Sequence, residues 1–198
     1  MSSQQQCVEQ HFQHSMVSLR ETVSGQSDNI CLAARNLANA LLKGGKVMLC
    51  GNGGSAALAQ YMASLLLNRY DRERPGLPAL ALSADPVSMT SIAADQQYKS
   101  VYARQIKACG QPNDILMLLV CGKSTNNLNE AIAAADDRNI PVIVLSSDDS
   151  SNIAEMLQSD ALEIRVAARS ARHCLEVHLT LIHCLCNLID IEIFGEEL

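Results

Sequence analysis

The residues best suited to chemistry are Cys50-Gly51-Asn52-Gly53-Gly54-Ser55-Ala56-Ala57. Glycine at 51, 53 and 54 lets the backbone bend sharply and expose bare N–H groups, and Asn52 and Ser55 add side-chain donors. The apolar run Lys46-Val47-Met48-Leu49 comes before and a helix-forming segment after, so the order is strand, glycine turn, helix. A helix N-terminus adds partial positive charge, and the whole corner suits an anion, a phosphate above all. The plain alternative is a tight strand-to-helix turn with no ligand.

Other candidates carry less. Gly122-Lys123-Ser124-Thr125 has the tail of a nucleotide-binding P-loop, but the glycine needed five residues earlier is Met117. Gly51, Gly53 and Ala56 fit a loose dinucleotide fingerprint, yet the second strand ends at Ser83 with no acidic residue for a ribose. The histidines at 11, 14, 173, 178 and 183 have no zinc-site spacing, so no metal site is expected. Cys184 and Cys186 lie two apart on a helix and point apart. Arg69, Arg72 and Arg74 read as a solvated turn paired with Asp71 and Glu73.

The corner needs a frame. Val8, Phe12, Met16, Leu19 and Val23 recur at helical spacing, Ser24-Gly25-Gln26-Ser27 reads as a break, and Asp28 caps a second helix with Ile30, Ala33, Leu37 and Leu41. Residues 1–44 thus form a helical segment suited to oligomer contacts, ahead of a single unit over residues 45–198. Within that unit, apolar runs near residues 79–83, 115–120, 141–145 and 162–166 alternate with helical patterns. The fold class is α/β, with a parallel sheet covered on both faces. Residues 171–194 read as a helix apolar on nearly every side, so a second subunit is expected to cover what the sheet does not.

The bulk properties agree. The chain of 198 residues is 48% apolar with 3% aromatic, enough for one substantial core of aliphatic side chains. A formal charge of −6 argues against direct nucleic-acid or anionic-membrane binding. Eight cysteines without a CxxC pair, and Met1-Ser2-Ser3-Gln4-Gln5-Gln6 in place of a signal segment, point to reduced thiols in the cytoplasm. No apolar run reads as a convincing membrane span.

Taken together, the glycine corner, Leu67-Asn68-Arg69-Tyr70, Glu73-Arg74-Pro75-Gly76-Leu77-Pro78-Ala79 and Leu175-Glu176-Val177-His178-Leu179 resemble the sugar isomerase (SIS) family. The branch is that of the phosphoheptose isomerases and the DnaA initiator-associating protein. The resemblance implies a three-layer, flavodoxin-like sandwich with a five-stranded parallel sheet behind two N-terminal helices, and a homotetramer. It implies a phosphosugar site at Asn52, Gly53, Gly54, Ser55 and Thr125. The family's acid, base and zinc ligands fall at Tyr61, Leu65, Leu175 and His183. The base has become leucine and three of the four metal positions have lost their ligand, so no cofactor is expected and His183 is the catalytic remnant. The second phosphate loop, Val120-Cys121-Gly122-Lys123-Ser124-Thr125, keeps a hydroxyl at Thr125 and gains Lys123. The tail from His183 to Phe194 is similar to that of the initiator-associating protein, with Ile193 and Phe194 at its DnaA-contacting pair. The expectation is a non-catalytic homotetrameric adaptor for DnaA in replication initiation. The alternatives are a phosphoheptose isomerase acting on sedoheptulose 7-phosphate through His183, and a phosphosugar sensor.

Overall fold

Strands β1 (Val47–Gly51) and β3 (Ile115–Leu119) are apolar or glycine throughout and buried throughout, so each needs cover on both faces. The computed structural model describes residues 2–168 and 170–196, and it supplies that cover. With β2 (Ala79–Ala81), β4 (Val142–Ser147) and β5 (Leu162–Val166), these strands form one parallel sheet in the order β2-β1-β3-β4-β5. Because successive side chains point to opposite faces, the core divides in two. Val47, Leu49, Met117 and Leu119 pack against α1 (Ser3–Leu42), α2 (Gly54–Leu67) and α7 (Ala171–Phe194). Met48, Leu116, Leu118 and Val144 pack with α3 (Pro86–Gln96), α4 (Val101–Cys109), α5 (Asn126–Asp136) and the short α6 (Ser151–Ala154). This is the three-layer α/β sandwich with a five-stranded parallel sheet.

Register places the site. Val47 pairs with Ile115 and Gly51 with Leu119, so β1 and β3 end level and the turns after them lie side by side. Asp114 pins the other end: its carboxylate accepts the Lys46 N–H at 2.9 Å and the Gln111 N–H at 2.8 Å, and pairs with Lys46 Nζ at 2.5 Å.

Three expectations change. The N-terminal region is one continuous helix, not two, and runs straight through Gly25. A glycine costs a helix only about 1 kcal/mol, and α1 is held on both sides of it. Thr22 Oγ1 accepts the Ala167 N–H at 3.0 Å before it, and Ile30, Ala33 and Leu37 are buried after it. Arg74 is not part of a solvated turn. It is 8% exposed and donates to the carbonyls of Leu65, Leu66 and Pro75. Its Nε lies 2.6 Å from Asp190 Oδ1, an ion pair in distance but too bent to be a hydrogen bond. Arg69 and Glu73 do form an exposed pair at 2.8 Å. Finally, α7 is long and apolar enough to cross a membrane by length and composition alone. Here it is a core helix that buries Cys174, Val177, His178, Leu181, Ile182 and Leu185, while Leu179 and Cys184 are exposed on another side.

Candidate functional site

At the corner after β1, a Cβ on Gly51 would stand 2.8 Å from Ser55 Cβ and 2.9 Å from the Leu119 carbonyl, so only glycine lets α2 approach the strand. Gly53 takes φ +57 and ψ −123, a conformation glycine adopts without penalty, and sits at the N-cap of α2 with no side chain to cap it. Thr125, the N-cap of α5, makes no side-chain cap bond either. Two helices therefore start, without a side-chain cap, at the same end of the sheet; the Ser55 and Ala56 N–H groups of α2 and the Leu128 N–H of α5 turn back onto the carbonyls of Asn52, Gly53 and Thr125, so the anion-facing positions are the very first of each helix, Gly54 and Asn126.

Between them opens a cavity of about 230 Å³ whose lining includes Asn52, Gly54, Ser55, Cys121, Thr125 and Leu175. Four of the five residues expected to hold a phosphosugar line it, and Gly53 sets the turn beside it. Lys123 lines it too and brings a positive charge.

Asn52 is more a brace than a free donor. Its Nδ2 donates to Thr125 Oγ1 at 2.8 Å and Asn127 Oδ1 at 3.1 Å, while Asn127 Nδ2 donates back to Asn52 Oδ1 at 2.8 Å. The Thr125 hydroxyl donates to Asn127 Oδ1 at 2.5 Å, so these three residues lock the β1 turn to the start of α5. Tyr102 adds a hydroxyl bond to the Gly51 carbonyl at 2.5 Å. Sequence reasoning missed Asn127 and Tyr102, because they meet Asn52 and Gly51 across 75 and 51 residues of chain.

One wall of the cavity is a thiol. Cys121 Sγ lies 3.2 Å from His178 Nδ1, and Cys174 Sγ lies 3.5 Å from His178 Nε2, with His178 and Cys174 fully buried. The Cys174 thiol hydrogen-bonded to Cys121, with help from His178 and Ser55 and against the cost of burial, holds the Cys121 thiol well below the usual range. That same hydrogen bond, then burial, pushes the Cys174 thiol up. Of the two thiols, the one facing the cavity is favoured as the thiolate.

Of the positions expected to carry acid–base chemistry, Leu175 lines this cavity, while Tyr61 and His183 stand outside its lining. His183 is half-buried: its Nε2 is 3.0 Å from the Tyr61 hydroxyl, and its ring lies 5.7 Å from that of Tyr70. Leu65 is partly buried against the core. Leu175 rests on the corner, its Cδ1 2.7 Å from where a Gly54 Cβ would stand. Leu65 and Leu175 have no lone pair to offer, so these four positions do not form a ligand set for the family's zinc.

Ile193 and Phe194 sit at the far end of α7 and are partly buried against their own core. The Arg72 guanidinium lies 5.4 Å over the Phe194 ring and donates to the carbonyls of Phe194 and Gly195 at 3.1 and 2.7 Å.

The SIS domain family model matches residues 10–147. The chain is 42% identical to a phosphoheptose isomerase of Methylococcus capsulatus over 189 residues, 96% of this chain and 97% of that one. It is 45% identical to a phosphoheptose isomerase of Chromohalobacter salexigens over 164 residues, 83% of each. The solved phosphoheptose isomerase from Neisseria gonorrhoeae overlays with a TM-score of 0.89 at 31% identity, covering 95% of this chain and 99% of that one. These relatives overturn the expectation of a non-catalytic DnaA adaptor: similarity over nearly the whole chain leads to proteins named for an isomerase. The tail resemblance that suggested the adaptor rests on a pair of residues held by Arg72 and the chain's own core. With its matching domain, sheet order and overlaying backbone, the chain belongs to the SIS family, in the branch of the phosphoheptose isomerases.

Proposed function

We propose that the chain binds a phosphorylated sugar in the cavity at the ends of β1 and β3 and interconverts its ketose and aldose forms, as a phosphoheptose isomerase does. The observation that carries this reading is the convergence of two uncapped helix N-termini, at Gly53 and Thr125, on one cavity of about 230 Å³. A phosphate there faces the first N–H groups of α2 and α5, the Ser55 hydroxyl and Lys123. The name shared by the relatives supplies the substrate class, a seven-carbon ketose phosphate such as sedoheptulose 7-phosphate.

Isomerisation moves one proton between carbons and one between oxygens. A base removes it from the carbon beside the carbonyl to leave an enediol, and the proton returns to the neighbouring carbon as a hydroxyl proton crosses to the other oxygen. His183 is assigned the carbon proton, with Tyr61 holding its ring through the 3.0 Å contact. Tyr61 stands six residues beyond Ser55, about 9 Å along α2, so a seven-carbon chain anchored at the cradle reaches toward His183. The family's zinc finds no ligand set at Leu65 and Leu175, so the transfer is assigned to His183 and Tyr61 alone. The exposed α1 side chains Val8, Phe12, Met16 and Val23 are assigned to contacts between copies, with a homotetramer as the expected assembly.

A phosphosugar-binding module without turnover is the second reading, favoured by the two leucines at acid–base positions. Incubation of the full chain with sedoheptulose 7-phosphate, followed by NMR, separates the two. Aldose product that disappears in His183→Ala while calorimetric binding persists supports the isomerase. Binding without product selects the module, and absence of both removes the phosphosugar reading.

A further inference from the structure

Outside the cavity, the N-terminal part of α1 is exposed almost all round until Ser18, yet it meets α7 through a compact polar cluster. His11 and Ser15 lie one helical turn apart on α1; His173 and Glu176 lie at i and i+3 on α7, so each pair shares a face. His11 Nε2 is 3.2 Å from Glu176 Oε1, and the Ser15 hydroxyl donates to Glu176 Oε2 at 2.5 Å. The His11 and His173 rings are 5.1 Å apart, and the His14 ring stands edge-on to His173 at 5.7 Å.

One atom in this cluster lacks a partner among the described residues: His173 Nε2 is buried and makes no hydrogen bond to any of them. The other ring nitrogen, Nδ1, lies 3.0 Å from Ser170 Oγ. When Nδ1–H donates to that hydroxyl, Nε2 is a bare lone pair among donors of the same kind. One donor atom each from His11, His173 and Glu176 lie within 4.8 Å of one another.

We propose that His11, His173 and Glu176 form a binding site for a divalent transition-metal ion of the zinc class, which staples the N-terminal part of α1 to α7. Two imidazoles and one carboxylate are a known donor set for such ions, leaving a fourth position for water or His14. Ser170 behind His173 and Ser15 behind Glu176 supply the outer hydrogen bonds that orient metal ligands. The site is distinct from the sugar cavity and does not depend on the isomerase reading.

The test is titration of tag-free, EDTA-treated full chain with Co(II), followed by absorbance, and with Zn(II), followed by calorimetry and thermal unfolding. The expected result is one ion per chain, a raised unfolding midpoint, visible d–d bands and no thiolate-to-cobalt charge-transfer band. His11→Ala and His173→Ala each weaken binding by ~100-fold or more, at least the loss that outer-shell changes produce. Because His11 is exposed, the metal-free His11→Ala variant should unfold at the wild-type midpoint, which separates ligation from folding. Absence of binding, a charge-transfer band that places the ion on Cys121 and Cys174, or unchanged affinity in both variants overturns the proposal.

Discussion

The two ends of the proposed sugar site differ in how they are held. At the cradle, Asn52, Thr125 and Asn127 close a hydrogen-bonded triangle between two helix starts, and each member positions the others. At the acid–base end a single 3.0 Å contact joins Tyr61 to His183, with leucine at positions 65 and 175. Affinity for an anion comes from several weak donors and survives the loss of one; proton transfer depends on one correctly placed group. The cradle should therefore degrade gradually under substitution and the acid–base end abruptly.

The sharpest break is His183→Ala, which should lower turnover ~10²- to 10⁴-fold, the usual share of a general acid–base group. Steady-state kinetics should show the loss in kcat with KM little changed. The converse is Leu65→Glu, which returns a carboxylate to the family's base position and should raise turnover by ~10-fold or more. No gain in that variant would mean that His183 and Tyr61 use a route to which position 65 is irrelevant.

Thr125→Val tests the cradle. It removes a hydroxyl worth ~1 kcal/mol of hydrogen bonding and should weaken sugar-phosphate binding about five- to tenfold by calorimetry, leaving kcat within a factor of a few. A collapse of kcat would show the two ends to be mechanically coupled.

Cys121 gives the smallest effect and the clearest pH signature. The Cys174 thiol and His178 on α7 and Ser55 on α2 hold its thiol well below the usual range, and Lys123 on its own loop lines the same cavity, so a thiolate is expected beside the anion at neutral pH. The rate of alkylation of Cys121 should stay nearly flat from about pH 6.5 to 8.5, whereas an ordinary thiol of pKa ~8.5 speeds up about fiftyfold. Cys121→Ser removes the negative charge and should tighten sugar-phosphate binding several-fold; weaker binding would show that the thiolate helps to shape the cradle.

How much of this was legible in the sequence follows from distance along the chain. The glycine corner could be read because strand, turn and helix are contiguous, and glycine at 51 and 53 answers to backbone geometry within five residues. The uninterrupted apolar strands likewise announced a sheet buried on both faces. The Cys121–His178 pair spans 57 residues and was invisible: one alone reads as a reduced thiol, the other as a histidine without zinc-site spacing. Arg74 looked solvated because its neighbours are charged; its partner Asp190 arrives from α7. The break read at Ser24-Gly25 failed because local propensity is worth little beside the packing of Ile30, Ala33 and Leu37.

The most direct test of the account is proton exchange in heavy water. Sedoheptulose 7-phosphate incubated with the full chain in D₂O and followed by NMR should gain deuterium at the carbon beside the carbonyl, and the exchange should vanish in His183→Ala. Binding of the sugar phosphate with no deuterium gained by the wild-type chain would contradict the assignment of His183 as the proton carrier.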